Sequence, residues 1–147
     1  MAGRYGMSFA KKHIEDGDYE EAVVAATKDI EQGTGGPEPL FDRGTAHELL
    51  EAYPSAVSDF EQAIKMNQVA KELDPFVLDD AYFSALVASA REEAKTDAAR
   101  AVATIGRYRE LLPKGEHVVE SYEWQKRFGG EMPSLLDKTR ALNDVSP

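Results

Sequence analysis

Apolar residues recur at helical spacing through most of this chain. Two segments show this spacing best. Ala22, Val23 and Ala26 lie at i, i+1 and i+4, and Ala56, Phe60 and Ala63 lie at i, i+4 and i+7. Because no stretch alternates apolar and polar residues for long, the pattern predicts an all-α fold. Short connections should join successive helices that pack antiparallel. The predicted helices cover residues 4–16, 18–32, 38–50, 54–73, 76–95, 97–112, 116–128 and 134–143.

The pattern also repeats. A shift of 34 residues superposes apolar or small residues and two identical aromatic or imidazole side chains: Ala10 on Gly44, His13 on His47, Tyr19 on Tyr53, Ala22 on Ala56, Ala26 on Phe60 and Ile30 on Ile64. A helix–turn–helix unit of this period indicates an array of stacked helical hairpins.

These residues resemble the tetratricopeptide (TPR) family, whose repeat has small residues where its two helices cross and a large aromatic residue nearby. The matching positions are Gly6, Phe9, Ala10, His13, Ala22 and Ala26 in the first unit, and Leu40, Gly44, His47, Ala56, Phe60 and Ala63 in the second. The chain departs from the family at Arg43, which replaces an apolar residue, and at Asp29, which replaces a small one. The closing prolines of both units are also missing.

A third unit is stretched. Ala101, Ile105 and Pro113 match the family's pattern, but Ala101 follows Ala56 by 45 residues instead of 34. The excess divides into 7 and 4 residues on either side of Leu73–Pro75, and both are close to whole helical turns. Helices 54–73 and 76–95 can therefore lengthen without rotating their buried faces.

The resemblance implies one domain over residues 1–147, a right-handed α-solenoid of about three TPR-like hairpins. The hairpins would cover residues 4–36, 37–75 and 76–113, and capping helices would cover 114–147. In helix 116–128, Val118, Val119 and Tyr122 lie on one arc and Trp124 and Phe128 lie opposite. We expect one side to pack on the last repeat.

The other side of that helix must meet the final helix, a partner or a second copy of the chain. Ser134 and Asp137 form a capping box before Leu135, Leu136 and Leu142. Whether these helices cap the array or form an interface stays open. Trp124 and Phe128 are the candidate residues for a second interface.

Charge is uneven along the chain. The net charge of −10 falls entirely before residue 81, with 17 acids against 7 bases, whereas the rest carries 10 of each. An acidic first half repels phosphate backbones, so nucleic acid is a poor partner. The chain has no cysteine and no apolar run long enough to span a membrane, and we expect no secretory signal because no apolar segment follows the first positive charges. These features predict a cytoplasmic protein.

Residues 15–23, EDGDYEEAV, suggest a calcium loop at first sight. A loop starting at Asp16 would place Asp18 and Glu20 as ligands, but Glu21 stands where Gly is required and Thr27 where Glu is required. A turn between helices explains the stretch better. Gly17 can take positive φ, Asp18 can cap the next helix and Glu21 can complete a capping box.

Enzyme motifs are incomplete. His47 begins an HExxH-like sequence, but Glu51 replaces the second ligand, and His13 and His47 share one repeat position, as packing residues would. His117 has no evident partner, and residues 33–36 (GTGG) suit a helix stop. We therefore expect no catalytic residue, no metal site and no cofactor.

The resemblance implies a binding groove lined by the first helix of each hairpin. Its candidate residues are Met7, Lys11, Ile14, Phe41, Thr45, Glu48 and Leu86, with Ala90 and Glu93 as further positions. Chaperone-binding members of the family clamp a C-terminal carboxylate from five positions, here Met7, Lys11, Asp42, Phe83 and Leu86. Lys11 alone suits a carboxylate, and Asp42 would repel it, so this kind of clamp is not expected.

The expected function is a non-catalytic adaptor or scaffold that binds a basic or apolar peptide or helix of another protein. Two alternatives stay open: a small acidic secretion-type chaperone that holds an apolar client segment, and a structural protein that self-associates through its C-terminal helices.

Overall fold

The computed structural model describes residues 8–129, which form seven α-helices and no strand. The helices are α1 (Phe9–Glu15), α2 (Tyr19–Glu31), α3 (Glu38–Leu49), α4 (Tyr53–Ala70), α5 (Pro75–Glu93), α6 (Ala98–Leu111) and α7 (Val118–Gly129). The all-α prediction is confirmed, and the predicted helix ends inside this range agree within three residues. The predicted start at residue 4 and the helix 134–143 lie outside the described residues.

The chain divides into two compact units within α5. Unit 1 is Met1–Ala85 and unit 2 is Leu86–Pro147. In unit 1, α1 packs on α2, α2 on α3 and α3 on α4, and α1 also contacts α3. In unit 2, α6 packs on α7.

The turn after α1 recurs 34 residues later. After α1, the Asp18 N–H donates to His13 O at 2.8 Å and the Gly17 N–H donates to Ile14 O at 3.1 Å. After α3, the corresponding bonds run from Ala52 to His47 (2.8 Å) and from Glu51 to Glu48 (2.9 Å). Both turns are Schellman motifs, with Gly17 at φ +82° and Glu51 at φ +61°.

One detail of the predicted turn is wrong. Asp18 precedes α2, but its side chain accepts no hydrogen bond from the described first turn of that helix. Its backbone, at φ −92° and ψ 68°, lies outside the extended region that places a capping oxygen over the first turn. Glu20 and Glu21 do lie in the first turn, where negative charge suits the helix dipole.

Small residues bring the helices of unit 1 close together. Ala10, Ala22, Ala26 and Ala56 are at most 1% exposed. On α3, a Cβ atom added to Gly44 would stand 2.7 Å from Cε1 of the buried Phe60 on α4. The prediction of small residues at helix crossings, with an aromatic ring filling the space nearby, is confirmed here.

Helices α4 and α5 are long, at 18 and 19 residues, as the stretched spacing predicts. The buried side chain of Asn67 organises the loop between them. Its Oδ1 accepts from the N–H groups of Glu72 (2.9 Å) and Leu73 (2.8 Å), and its Nδ2 donates to Leu73 O (2.9 Å). One amide thereby satisfies three backbone groups of the loop.

In unit 2 the side of α7 that faces α6 is polar. Ser121 and Gln125, one helical turn apart, are 0% and 3% exposed, and Arg109 of α6 donates to both at 2.7 Å. Gln125 also donates to Val102 O at 2.9 Å. The prediction that one side of this helix packs on the preceding hairpin agrees with the α6–α7 contact, but the buried side carries Ser121 and Gln125, whereas Val119 is 53% exposed.

Candidate protein-binding face

Helices α1 and α3, the first helices of successive hairpins, lie side by side in unit 1. Nζ of Lys11 on α1 lies 3.6 Å from Oε1 of Glu38 and 4.0 Å from Oδ1 of Asp42, both on α3. Lys11, a predicted groove residue of α1, therefore lies beside the first turns of α3. We call Lys11, Ile14, Phe41, Thr45 and Glu48 the α1–α3 face; all five are partly exposed.

A buried carboxyl group, that of Asp42, lies between α1 and α3 next to this face. The side chain of Asp42 is 4% exposed and accepts a hydrogen bond from Ser8 Oγ at 3.2 Å. Ser8 in turn caps α1, because its Oγ accepts from the Lys11 N–H at 3.1 Å. Burial raises the pKa of Asp42 from 3.8 to about 6, against the opposing effect of the Lys11 charge.

Phe41, Thr45 and Glu48 bring apolar and acidic groups to one partly exposed side of α3. The ring of Phe41 lies 5.7 Å from that of Phe60, and Thr45 Oγ1 donates to Phe41 O at 3.0 Å. Oε2 of Glu48 is buried and receives no hydrogen bond from residues 8–129. Burial raises the pKa of Glu48, although a hydrogen bond from Ser84 works in the other direction.

The remaining predicted groove residues do not extend this face. Met7 lies outside the described residues. Leu86 and Ala90 are 0% exposed and therefore offer no surface to a partner. Glu93 accepts from Thr104 Oγ1 at 2.6 Å and pairs with Arg100 at 2.8 Å. In this stretch of α5 the predicted register is wrong, because Leu86 and Ala90 lie on the buried side.

Sequence reasoning treated Arg43 as a departure and missed its partner. Its Nε and Nη2 donate to both oxygens of Asp59 at 2.9 and 2.8 Å, and Nη1 donates to Thr27 at 3.2 Å. The bidentate pair links α3 to α4, and the bond to Thr27 links α3 to α2. Both replace the apolar contact that the TPR pattern places at this position. The signal was present, since Asp59 directly precedes the packing residue Phe60.

The histidines lie in separate surroundings. His47 Nε2 lies 3.7 Å from Asp59, and burial lowers its pKa, whereas the Asp59 charge raises it. His13 Nδ1 lies 3.9 Å from Asp18, and His117 Nδ1 lies 2.8 Å from Glu120. Within the described residues, no group of three or more His, Asp or Glu side chains is arranged to hold a metal ion.

Trp124 and Phe128, the candidate second interface, contact each other on α7. Their ring centroids lie 5.4 Å apart at 28°, and the Arg127 guanidinium lies 4.3 Å above the Trp124 ring. Both rings stay partly exposed. None of the helices between residues 8 and 129 is long and apolar enough to cross a bilayer.

Comparison with known proteins adds no identity: the chain matches no family model, no curated protein and no solved structure.

Proposed function

We propose that this chain is a TPR-like adaptor that binds a segment of another protein along the α1–α3 face. The observation that supports this best is the lateral contact of α1 and α3, marked by Lys11 beside Glu38 and Asp42. Helices that begin successive hairpins then share one surface, as in an α-solenoid with a concave groove. The proposal includes the right-handed solenoid, the non-catalytic role and the cytoplasmic location expected from the sequence.

The chemistry of the face indicates the partner. Phe41 offers a partly exposed aromatic ring, and aromatic side chains are common anchors at interfaces. The partly exposed side chains of Glu38 and Glu48 supply two carboxyl groups beside the single ammonium of Lys11 in this set of α1–α3 residues, and the carboxyl group of Asp42 is buried. A segment with an apolar residue and Lys or Arg neighbours complements it in both respects.

An array of helical peptides tests this function. One series combines apolar residues with Lys and Arg, and a matched series replaces every Lys and Arg with Glu. We expect binding to the basic series and loss of binding in Phe41→Ser and Glu48→Lys variants, with circular dichroism used to confirm that each variant is helical. Equal binding of both series would contradict the proposal.

A chaperone for apolar clients is the second candidate. Four large apolar side chains beside the α4–α5 loop are exposed: Met66 (44%), Val69 (87%), Phe76 (59%) and Val77 (49%). Large apolar side chains exposed near one loop favour contact with an apolar segment. In the same array, loss of binding in Phe76→Ser but not in Phe41→Ser would favour this candidate.

A further inference from the structure

An open cleft of about 310 Å³ lies along the α1–α2 hairpin. Val24 and Ala25 of α2 contribute apolar surface, and His13, Glu20 and Glu21 contribute polar groups. Val24 is 70% exposed, so most of its apolar side chain is accessible to a partner. The volume is at the small end of the range for ligand pockets and suits one large side chain.

Two carboxylates, of Glu20 and Glu21, line this cleft, and further carboxylates lie on the adjoining α1–α2 turn. Five exposed carboxylates surround the α1–α2 turn: Glu15, Asp16, Asp18, Glu20 and Glu21. Asp18 lies 3.9 Å from His13, and the other four form no ion pair within residues 8–129. Carboxylates at this density repel one another, and an approaching cation relieves that repulsion. The turn therefore presents an unneutralised negative border beside an apolar surface.

We propose that this cleft binds a Lys- or Arg-rich segment of a partner protein and seats one apolar side chain of that segment on Val24 and Ala25. Apolar contact alone would admit many occupants, but the acidic border selects a cationic one. The site shares no residue with the α1–α3 face, so it is a second contact surface beyond the proposed function. It also gives a role to the acidic turn, which neither a metal ion nor catalysis explains.

An NMR titration of the full chain tests this site. The probe is the end-blocked peptide Lys-Lys-Leu-Lys-Lys, and the comparison peptide has Gln in place of Leu. We expect the largest amide shifts at His13 and residues 20–25, and weaker binding of the Gln peptide. Val24→Thr should weaken binding of the Leu peptide about fourfold, since a methyl group loses its contact. High salt should weaken it further.

Charge-reversal variants distinguish binding at the cleft from a general effect of the protein's net charge. Glu20→Lys with Glu21→Lys should weaken binding about tenfold. The control, Glu31→Lys with Glu110→Lys, changes the net charge equally at exposed positions outside the cleft and should leave the affinity within about twofold. Equal weakening by both pairs would overturn the proposal. Equal affinity for the Leu and Gln peptides, or shifts confined to the α1–α3 face, would also overturn it.

Discussion

Gly44 faces the ring of Phe60 so closely that a Cβ atom there would stand 2.7 Å from Cε1 and 2.9 Å from Cδ1. Phe60 is itself 1% exposed, so its ring has little room to move. The close crossing of α3 and α4 therefore requires glycine at position 44, because glycine has no Cβ atom. It is retained although glycine weakens a helix interior.

We expect Gly44→Ala to lower the free energy of unfolding by about 1–3 kcal/mol, because the added methyl group overpacks the crossing. Urea denaturation followed by circular dichroism measures it. Phe60→Leu in the same chain should recover part of the loss, since the smaller side chain frees the space. A Gly44→Ala protein as stable as the wild type would show that the crossing can widen.

The two Schellman turns predict that substitutions at the equivalent positions Gly17 and Glu51 change thermal stability in opposite directions. Glu51 adopts φ +61°, which costs an L-residue roughly 1 kcal/mol, whereas Gly17 adopts φ +82° without that cost. Glu51→Gly should therefore raise the thermal midpoint, and Gly17→Ala should lower it. A scanning calorimetry comparison of both variants checks this. Changes of the same sign would contradict the assignment of a shared turn geometry.

The helices could be predicted because their signals are local. Spacing of apolar residues, Gly17 and the prolines mark helix ends within a few residues, and the 34-residue shift identifies equivalent turns. Buried polar groups could not be predicted in this way. Ser121 and Gln125 resemble solvent-facing residues in a pattern, and their burial depends on Arg109, which is 12 and 16 residues away.

The candidate face was selected from the same kind of local signal. Lys11, Phe41 and Glu48 lie in the two segments related by the 34-residue shift, and the structure brings α1 and α3 together. Leu86 lies in the stretched third unit, where its assignment to the exposed face assumed that the 11 extra residues add whole helical turns. Its complete burial shows which side of α5 packs inward.

Asp42 should make stability depend on pH. Its folded-state pKa is raised from 3.8 to about 6, so the folded protein binds the proton more tightly than the unfolded chain does. The contribution of Asp42 is most favourable below pH 4 and is lost as pH rises through about 6, at most about 3 kcal/mol in total. Asp42→Asn should therefore be more stable than wild type at pH 7.5.

Urea denaturation of both proteins at several pH values between 4 and 8 measures this. The advantage of Asp42→Asn should shrink as the pH falls, because the wild-type carboxyl becomes neutral as well. A constant difference between the two proteins would contradict the role of ionisation, and would point instead to the lost contact with Lys11.

Because Asp59 pairs with Arg43 and also lies near His47, removing its charge should change the pKa of His47. Asp59 lies 3.7 Å from His47 and raises its pKa, in opposition to burial and to the charge of Arg43. Asp59→Asn should therefore lower the pKa of His47 further, which an NMR titration of the His47 ring protons measures. It should also destabilise the fold by about 1–3 kcal/mol, because the partly buried Arg43 loses its charged partner. An unchanged His47 titration would contradict the coupling.

In unit 2, Arg109 holds α6 against α7 through neutral partners. Its guanidinium donates to Ser121 and Gln125 and lies 3.8 Å above the ring of Tyr122. Gln125→Ala removes an acceptor from Arg109 and leaves Val102 O without its side-chain donor. We expect a loss of about 1–3 kcal/mol, because partly buried polar groups are left unsatisfied.

The exposed neighbour Lys126 offers a matched control, since Lys126→Ala shortens a side chain on the same helix without touching this network. Hydrogen exchange of α7 should accelerate in Gln125→Ala and stay close to wild type in Lys126→Ala. Gln125→Glu separates charge from packing. A carboxylate there accepts from Arg109 more strongly but cannot donate to Val102 O, so its stability should fall between those of the wild type and Gln125→Ala. If Gln125→Glu were less stable than Gln125→Ala, the bond to Arg109 would not be what holds the two helices together.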